Sequence, residues 1–149
     1  MIASNPISQP AQASPQAWIR RLGLSRFRNY HDLDLMLDER MVILIGPNGA
    51  GKTNIMEAVS LMAPGRGLRR AKREQLMLNG EAHKRPAAAF SDNWRWAISC
   101  EAVTEFGAFR AGTGEEVNQD NGRRVIRLDG VNASQAALAE RLAISWLTP

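Results

Sequence analysis

The chain has 149 residues, 44% of them apolar and 23% charged, enough for one domain with a real core and too ordinary in composition for a fibrous or wholly disordered protein. One cysteine, Cys100, rules out an internal disulfide and reads as a buried small hydrophobe in a reducing compartment. No apolar run approaches the length of a membrane span and no signal-peptide pattern opens the chain, so the expectation is a cytoplasmic protein without a membrane partner.

The net charge of +4 is uneven: residues 1–75 carry 11 basic side chains against 6 acidic ones, whereas residues 76–149 carry 8 against 9. A basic amino-terminal half favours polyanionic partners, nucleotide or nucleic acid.

Residues 1–17, rich in Ser, Gln, Pro and Ala and free of charge, predict a disordered tail. Residues 18–27 are strand-like. Leu33, Leu35 and Leu37 alternate with polar neighbours as a half-buried strand does. Residues 41–45 form a continuous apolar run, the pattern of a strand buried on both faces. A helix over 52–63 follows, with Ile55, Val59 and Met62 inward and Met56 and Ala63 beside them, stopped by Pro64-Gly65. Residues 65–75 are basic and partly helical, and 79–92 read as a surface loop. Residues 94–106 predict a strand, 112–124 a polar Gly-rich loop, and 125–131 another short strand. Ser134 is the expected N-cap of a helix through 143, and 144–147 begin a last strand.

Between the apolar run and the first helix stands Gly46-Pro47-Asn48-Gly49-Ala50-Gly51-Lys52-Thr53, the pattern G-x-x-x-x-G-K-[S/T]. Glycines let backbone N–H groups turn inward around a phosphate without a Cβ in the way. The following helix N-terminus favours the same negative charge. Lys52 supplies a point charge to the terminal phosphates, and Thr53 a hydroxyl to Mg²⁺. Asn48 either bonds within the loop or reaches the γ-phosphate. The strand–loop–helix context is the one the motif requires.

Three short motifs extend the pattern. Phe27-Arg28-Asn29-Tyr30 lies about sixteen residues upstream of the loop. Asn54 and Met56-Glu57-Ala58 follow it, and then Pro64-Gly65-Arg66-Gly67-Leu68-Arg69. Together these resemble the amino-terminal part of the RecF family, bacterial DNA replication and repair proteins similar to SMC and ABC-type ATPase heads. The resemblance covers about residues 18–149. It implies an α/β P-loop NTPase first lobe, a mixed sheet rich in antiparallel strands with flanking helices. It implies ATP and Mg²⁺ as cofactors, weak ATPase activity, and binding of single-stranded or gapped DNA. It also implies RecO- and RecR-like partners, a role in the SOS response, and two heads enclosing two ATP molecules. The ATP contacts would be Gly46 through Thr53. Arg28 is either a further phosphate contact or a surface arginine at a strand end.

The family pattern is incomplete in this sequence. No apolar strand ends in Asp-Glu, the pair that holds the metal and orients the attacking water, and no Ser-Gly signature follows. Residues 18–149 therefore read as the amino-terminal part of a head, incomplete at its C-terminus, able to bind ATP and not to hydrolyse it alone. Three alternatives stay open: an SMC-like head fragment, a small P-loop kinase or GTPase, and a non-catalytic remnant. The chain has neither heptads nor a GTPase Asn-Lys-x-Asp.

Arg66, Arg69, Arg70 and Arg73 fall at helical spacing and, if helical, form one cationic stripe suited to DNA phosphates or to solvent. Trp94 and Trp96 share a strand face, for core packing or for base stacking. His31 and His83 have no metal-like partners nearby in sequence and read as surface residues.

Overall fold

The computed structural model describes residues 17–78, 94–117 and 123–145. Residues 1–16 of the tail expected over 1–17, the loop expected over 79–92, His83, and residues 146–147 of the strand expected over 144–147 lie outside the described residues; Ala17 opens a strand, and residues 144–145 form none.

A six-stranded sheet organises the chain, in the order β2-β1-β3-β4-β5-β6. Its strands are β1 (Ala17–Phe27), β2 (Tyr30–Met36), β3 (Trp94–Thr104), β4 (Gly107–Glu116), β5 (Val125–Leu128) and β6 (Val131–Asn132). Every pairing among the described residues is antiparallel. Helix α1 (Lys52–Leu61), a 3-10 turn (Arg73–Gln75) and helix α2 (Gln135–Arg141) complete the elements.

Strand alternation separates two faces. Across the sheet, Leu33, Leu24, Ile98, Thr113 and Ile126 stand opposite one another, and Leu35, Leu22, Cys100, Ala111 and Leu128 form the next row. This face packs with Ala58, Leu61 and Met62 of α1 and Leu138 of α2 into one core. Phe27 and Trp96 meet in it at a ring separation of 5.9 Å. Burial of side chains this large contributes about 2–3 kcal/mol each. The opposite face is polar: Arg21 donates to both oxygens of Asp34, at 2.7 and 2.6 Å, and Arg20 pairs with Glu101. Hydrogen bonding from Arg21 holds the Asp34 carboxyl below its usual range.

Four expectations are corrected. Residues 41–45 form no strand: Met41 is 88%, Ile43 72% and Ile45 90% exposed, and only Leu44 is half-buried. An apolar run becomes a doubly buried strand only when strands pair along both its edges, and the described residues supply none. Secondly, strand structure runs into the expected 112–124 loop, because β4 continues to Glu116. Its glycines serve packing: a Cβ on Gly114 would lie 2.4 Å from the Trp96 carbonyl oxygen and 2.7 Å from the Trp94 ring. Thirdly, the short strand expected over 125–131 is a hairpin of β5 and β6, turned by Asp129 and Gly130, both at positive φ. Fourthly, Met62 is buried and Ile55 and Val59 pack half-buried against the core as expected, but the inner face also takes in Glu57, Ala58 and Leu61, and Met56 is 49% exposed.

The remaining elements follow the pattern. Ser134 Oγ accepts from the Ala137 N–H at 3.1 Å and caps α2, which ends at Arg141 rather than at 143. Trp94 and Trp96 are buried, 7% and 1% exposed, which selects core packing over base stacking. Cys100 is buried, and desolvation pushes its thiol up to about 12. His31 is exposed.

Candidate phosphate-binding site

The loop 46–50 lies open to solvent between the uncovered apolar run and the start of α1. Gly49 and Gly51 sit at φ +84° and +92°, backbone conformations that only glycine adopts without strain. Gly51 occupies the N-cap of α1, and no side chain caps the helix. The first-turn N–H groups therefore face the loop mouth without a capping side chain, the arrangement that attracts an anion. Lys52 Nζ donates to the carbonyl oxygens of Gly46 and Pro47 at 2.6 and 2.7 Å. An ammonium has three donors; two hold the loop in its curve, and the third is available to a ligand. Thr53 is exposed beside it on the first turn. Among the described residues no cluster of three His, Cys, Asp or Glu side chains stands ready for a metal ion. The loop residues thus fit a phosphate chain, and Thr53 fits one position of a metal whose other ligands come from phosphate and water.

The turn between β1 and β2 is built against this loop. Arg28 sits at φ +55°, a strained value for a non-glycine residue, costing about 1 kcal/mol. It is held there from both ends. Its N–H donates to the Leu76 carbonyl at 2.8 Å, while Nε and Nη2 donate to the two carboxylate oxygens of Glu57 at 2.8 and 2.7 Å. Glu57 is 1% exposed, so its position on the inner face of α1 depends on this bidentate partner. Arg28, expected as a phosphate contact or a surface arginine, is placed in an ion pair with the helix that carries the loop. Tyr30 Oη donates to the Ala50 carbonyl at 3.4 Å. A Cβ on Gly51 would lie 2.5 Å from Tyr30 Oη and 2.7 Å from Asn29 Nδ2. The third loop glycine is required by its own φ, and any Cβ there would also push the Tyr30 and Asn29 side chains aside. These contacts were missed in the sequence because Arg28 and Glu57 are 29 residues apart. The available signal was an acidic residue among the apolar positions of α1.

The basic segment departs from its expected form. Residues 62–72 are turns and bends, and only Arg73–Gln75 are helical. Gly65 at φ +110° and Gly67 at φ +74° break the helix, and Arg70 also takes a positive φ. The i, i+3, i+4, i+7 stripe is therefore not formed. Arg66, Arg69 and Arg70 instead project from an exposed turn. The turn is tied down on α1: the Leu68 N–H donates to Ser60 Oγ at 2.7 Å, and Arg69 Nη1 donates to Asn54 Oδ1 at 3.2 Å.

Residues 18–149 match the family described as the RecF/RecN/SMC N terminal domain. The DNA replication and repair protein RecF of Allorhizobium ampelinum is 42% identical over 135 residues, which is 90% of this chain and 33% of that protein. RecF of Rhizobium meliloti is 38% identical over the same share of each. The chain thus spans about a third of the length of these relatives. Among solved structures, the RecF–ATPrS structure of the RecFOR pathway superposes with a TM-score of 0.64 at 22% identity, over 86% of this chain and 31% of that one. The SMC head domain from Thermotoga maritima gives 0.61 at 17% identity, over 84% and 42%. Both similarities are of fold.

Proposed function

The chain belongs to the RecF/RecN/SMC N terminal domain family, and from that premise we propose that it binds ATP through Gly46, Pro47, Asn48, Gly49, Ala50, Gly51, Lys52 and Thr53. The observation that carries this is the loop itself: glycines at positive φ, an uncapped helix N-terminus, and a lysine curled over the loop with one donor to spare. The backbone N–H groups of the loop hold the β-phosphate. Lys52 reaches the outer phosphate oxygens, and Thr53 Oγ1 offers a ligand to Mg²⁺, which supplies charge neutralisation when bound. Arg28, through Glu57, sets the orientation of α1 and acts as a positioning residue rather than a phosphate contact.

The wider role follows the family: an ATP-dependent DNA binder in replication and recombinational repair, acting on single-stranded or gapped DNA and supporting the SOS response in the cytoplasm. Arg66, Arg69, Arg70 and Arg73 are the proposed DNA contacts, now as cations on a turn. RecO- and RecR-like proteins and a second ATP-bound head are the proposed partners. In support, a TM-score of 0.64 relates the chain to a RecF structure described with the analogue ATPrS. No helix among the described residues is long and apolar enough to cross a membrane.

Calorimetric titration of the purified chain with Mg–ATP, Mg–ADP and AMP tests the site. A phosphate cradle binds the triphosphate and diphosphate and discriminates strongly against AMP, which lacks a β-phosphate. Equal binding of all three would place recognition on the base and overturn the assignment.

A further inference from the structure

Asn54, immediately after the proposed magnesium ligand Thr53, joins three separate segments. Its Nδ2 donates to Asn29 Oδ1 at 2.7 Å, in the β1–β2 turn. Its Oδ1 accepts from Arg69 Nη1 at 3.2 Å, in the basic turn. Its backbone N–H donates to the Gly51 carbonyl at 2.8 Å, closing the first turn of α1. The amide orientation is fixed by chemistry: a guanidinium only donates, so the oxygen must face Arg69 and the NH₂ must face Asn29. A leucine of the same size would lose both bonds. An aspartate would turn an acceptor toward the Asn29 oxygen.

We infer that Asn54 is a positioning residue which couples the phosphate loop to the basic turn, so that the turn carrying Arg66, Arg69 and Arg70 responds to nucleotide. The inference rests on the ATP-binding reading of the loop. Phosphate binding engages the remaining donor of Lys52 and loads the first-turn N–H groups of α1. The Asn54 side chain is rooted on that turn and holds Arg69 directly. The other tie of the basic segment, from Leu68 to Ser60, lies near the far end of α1 and stays in place without Asn54. Of the two described side-chain hydrogen bonds that tie the basic segment to α1, Asn54 to Arg69 is the one rooted at the phosphate-loop end of the helix.

The test places an environment-sensitive fluorophore on the turn by R66C. Arg66 is exposed, whereas Cys100 is 2% exposed with its thiol pushed up to about 12, so labelling is confined to the new position. Mg–ATP binding is followed by calorimetry and the turn by fluorescence, in the labelled parent and in the same protein carrying N54A or R69A. The expected result is a saturable fluorescence change in the parent. Both variants should bind Mg–ATP within about fivefold of the parent, the worth of one hydrogen bond, yet show little fluorescence change at saturation. The doubly substituted N54A/R69A protein should lose no more than either single variant. Should N54A fail to fold by circular dichroism, R69A carries the test, since its side chain is exposed. An undiminished change in R69A, or ATP binding to the parent with no change, would overturn the coupling and leave the phosphate site intact. Absence of Mg–ATP binding to the parent, read directly by calorimetry, would overturn the ATP reading and the coupling with it.

Discussion

Truncating Arg28 should destabilise the chain far more than an arginine on a hairpin turn ordinarily would. The structure places Glu57 at 1% exposure, with both carboxylate oxygens accepting from Arg28, at 2.8 and 2.7 Å. Arg28→Ala leaves that carboxylate in the core without its counter-charge and without either side-chain hydrogen bond. Breaking a buried pair from one side costs about 3–5 kcal/mol. Arg28 keeps 17% exposure, so water reaches the gap, and the lower end, about 3 kcal/mol, is the expectation. For a chain of this size the melting temperature should fall by about 6–12 °C. Pairing Arg28→Met with Glu57→Leu should recover much of the loss, because a buried ion pair and a well-packed apolar pair are often close in energy. Urea unfolding followed by tryptophan fluorescence reads all three proteins. A loss under about 1 kcal/mol for Arg28→Ala, the range of an exposed pair, would refute the reasoning. So would a double variant no more stable than the single one.

Four further outcomes follow from particular residues. Gly114→Ala should cost about 2–3 kcal/mol by urea unfolding, because the added Cβ meets the Trp96 carbonyl at 2.4 Å and the Trp94 ring at 2.7 Å. Gly49→Ala, with nothing within 4 Å and only its positive φ to strain, should cost about 1 kcal/mol; equal losses would discount the close approach. Cys100, buried and with its thiol pushed up to about 12, should resist maleimide at pH 7 in the folded chain and react fully in urea; rapid native labelling would contradict its place in the core. Reversing Arg69 and Arg70 to Glu should weaken DNA binding and flatten its salt dependence, by about 0.9 per lost phosphate contact on duplex DNA and about 0.7 on single strands, and an unchanged slope would make the turn a solvated face.

The residues that needed only their neighbours in sequence were readable in advance. The glycine spacing of the phosphate loop, the alternation of Leu33 and Leu35, and Ser134 as a cap are local patterns with local causes. What depended on distant partners was not. Met41, Val42, Ile43 and Ile45 look like a buried strand, and burial comes from strands alongside, which the described residues do not provide. Gly112 and Gly114 look like a loop, yet in β4 the absence of a Cβ at Gly114 makes room for Trp94. The arginine spacing over 66–73 suggests a helix, and two glycines at positive φ break it. At the site, the loop was legible but its support was not. Arg28, Asn29 and Tyr30 appeared beside the loop only as a motif, and their contacts to Glu57, Asn54, Ala50 and Gly51 arise from the folded turn.

The central claim is that Lys52 and the loop around it hold the phosphates of ATP. The most direct measurement is titration of a fluorescent ATP analogue against the parent chain and Lys52→Ala, with circular dichroism to compare their folds. Among the described residues, Lys52 bonds to the carbonyls of its own exposed loop, at 2.6 and 2.7 Å, so its removal should leave the sheet and α1 intact. The expected result is matching spectra and an affinity lowered at least tenfold, the loss of about 1.4 kcal/mol or more that a charged phosphate contact represents. Equal affinities in two equally folded proteins would contradict it.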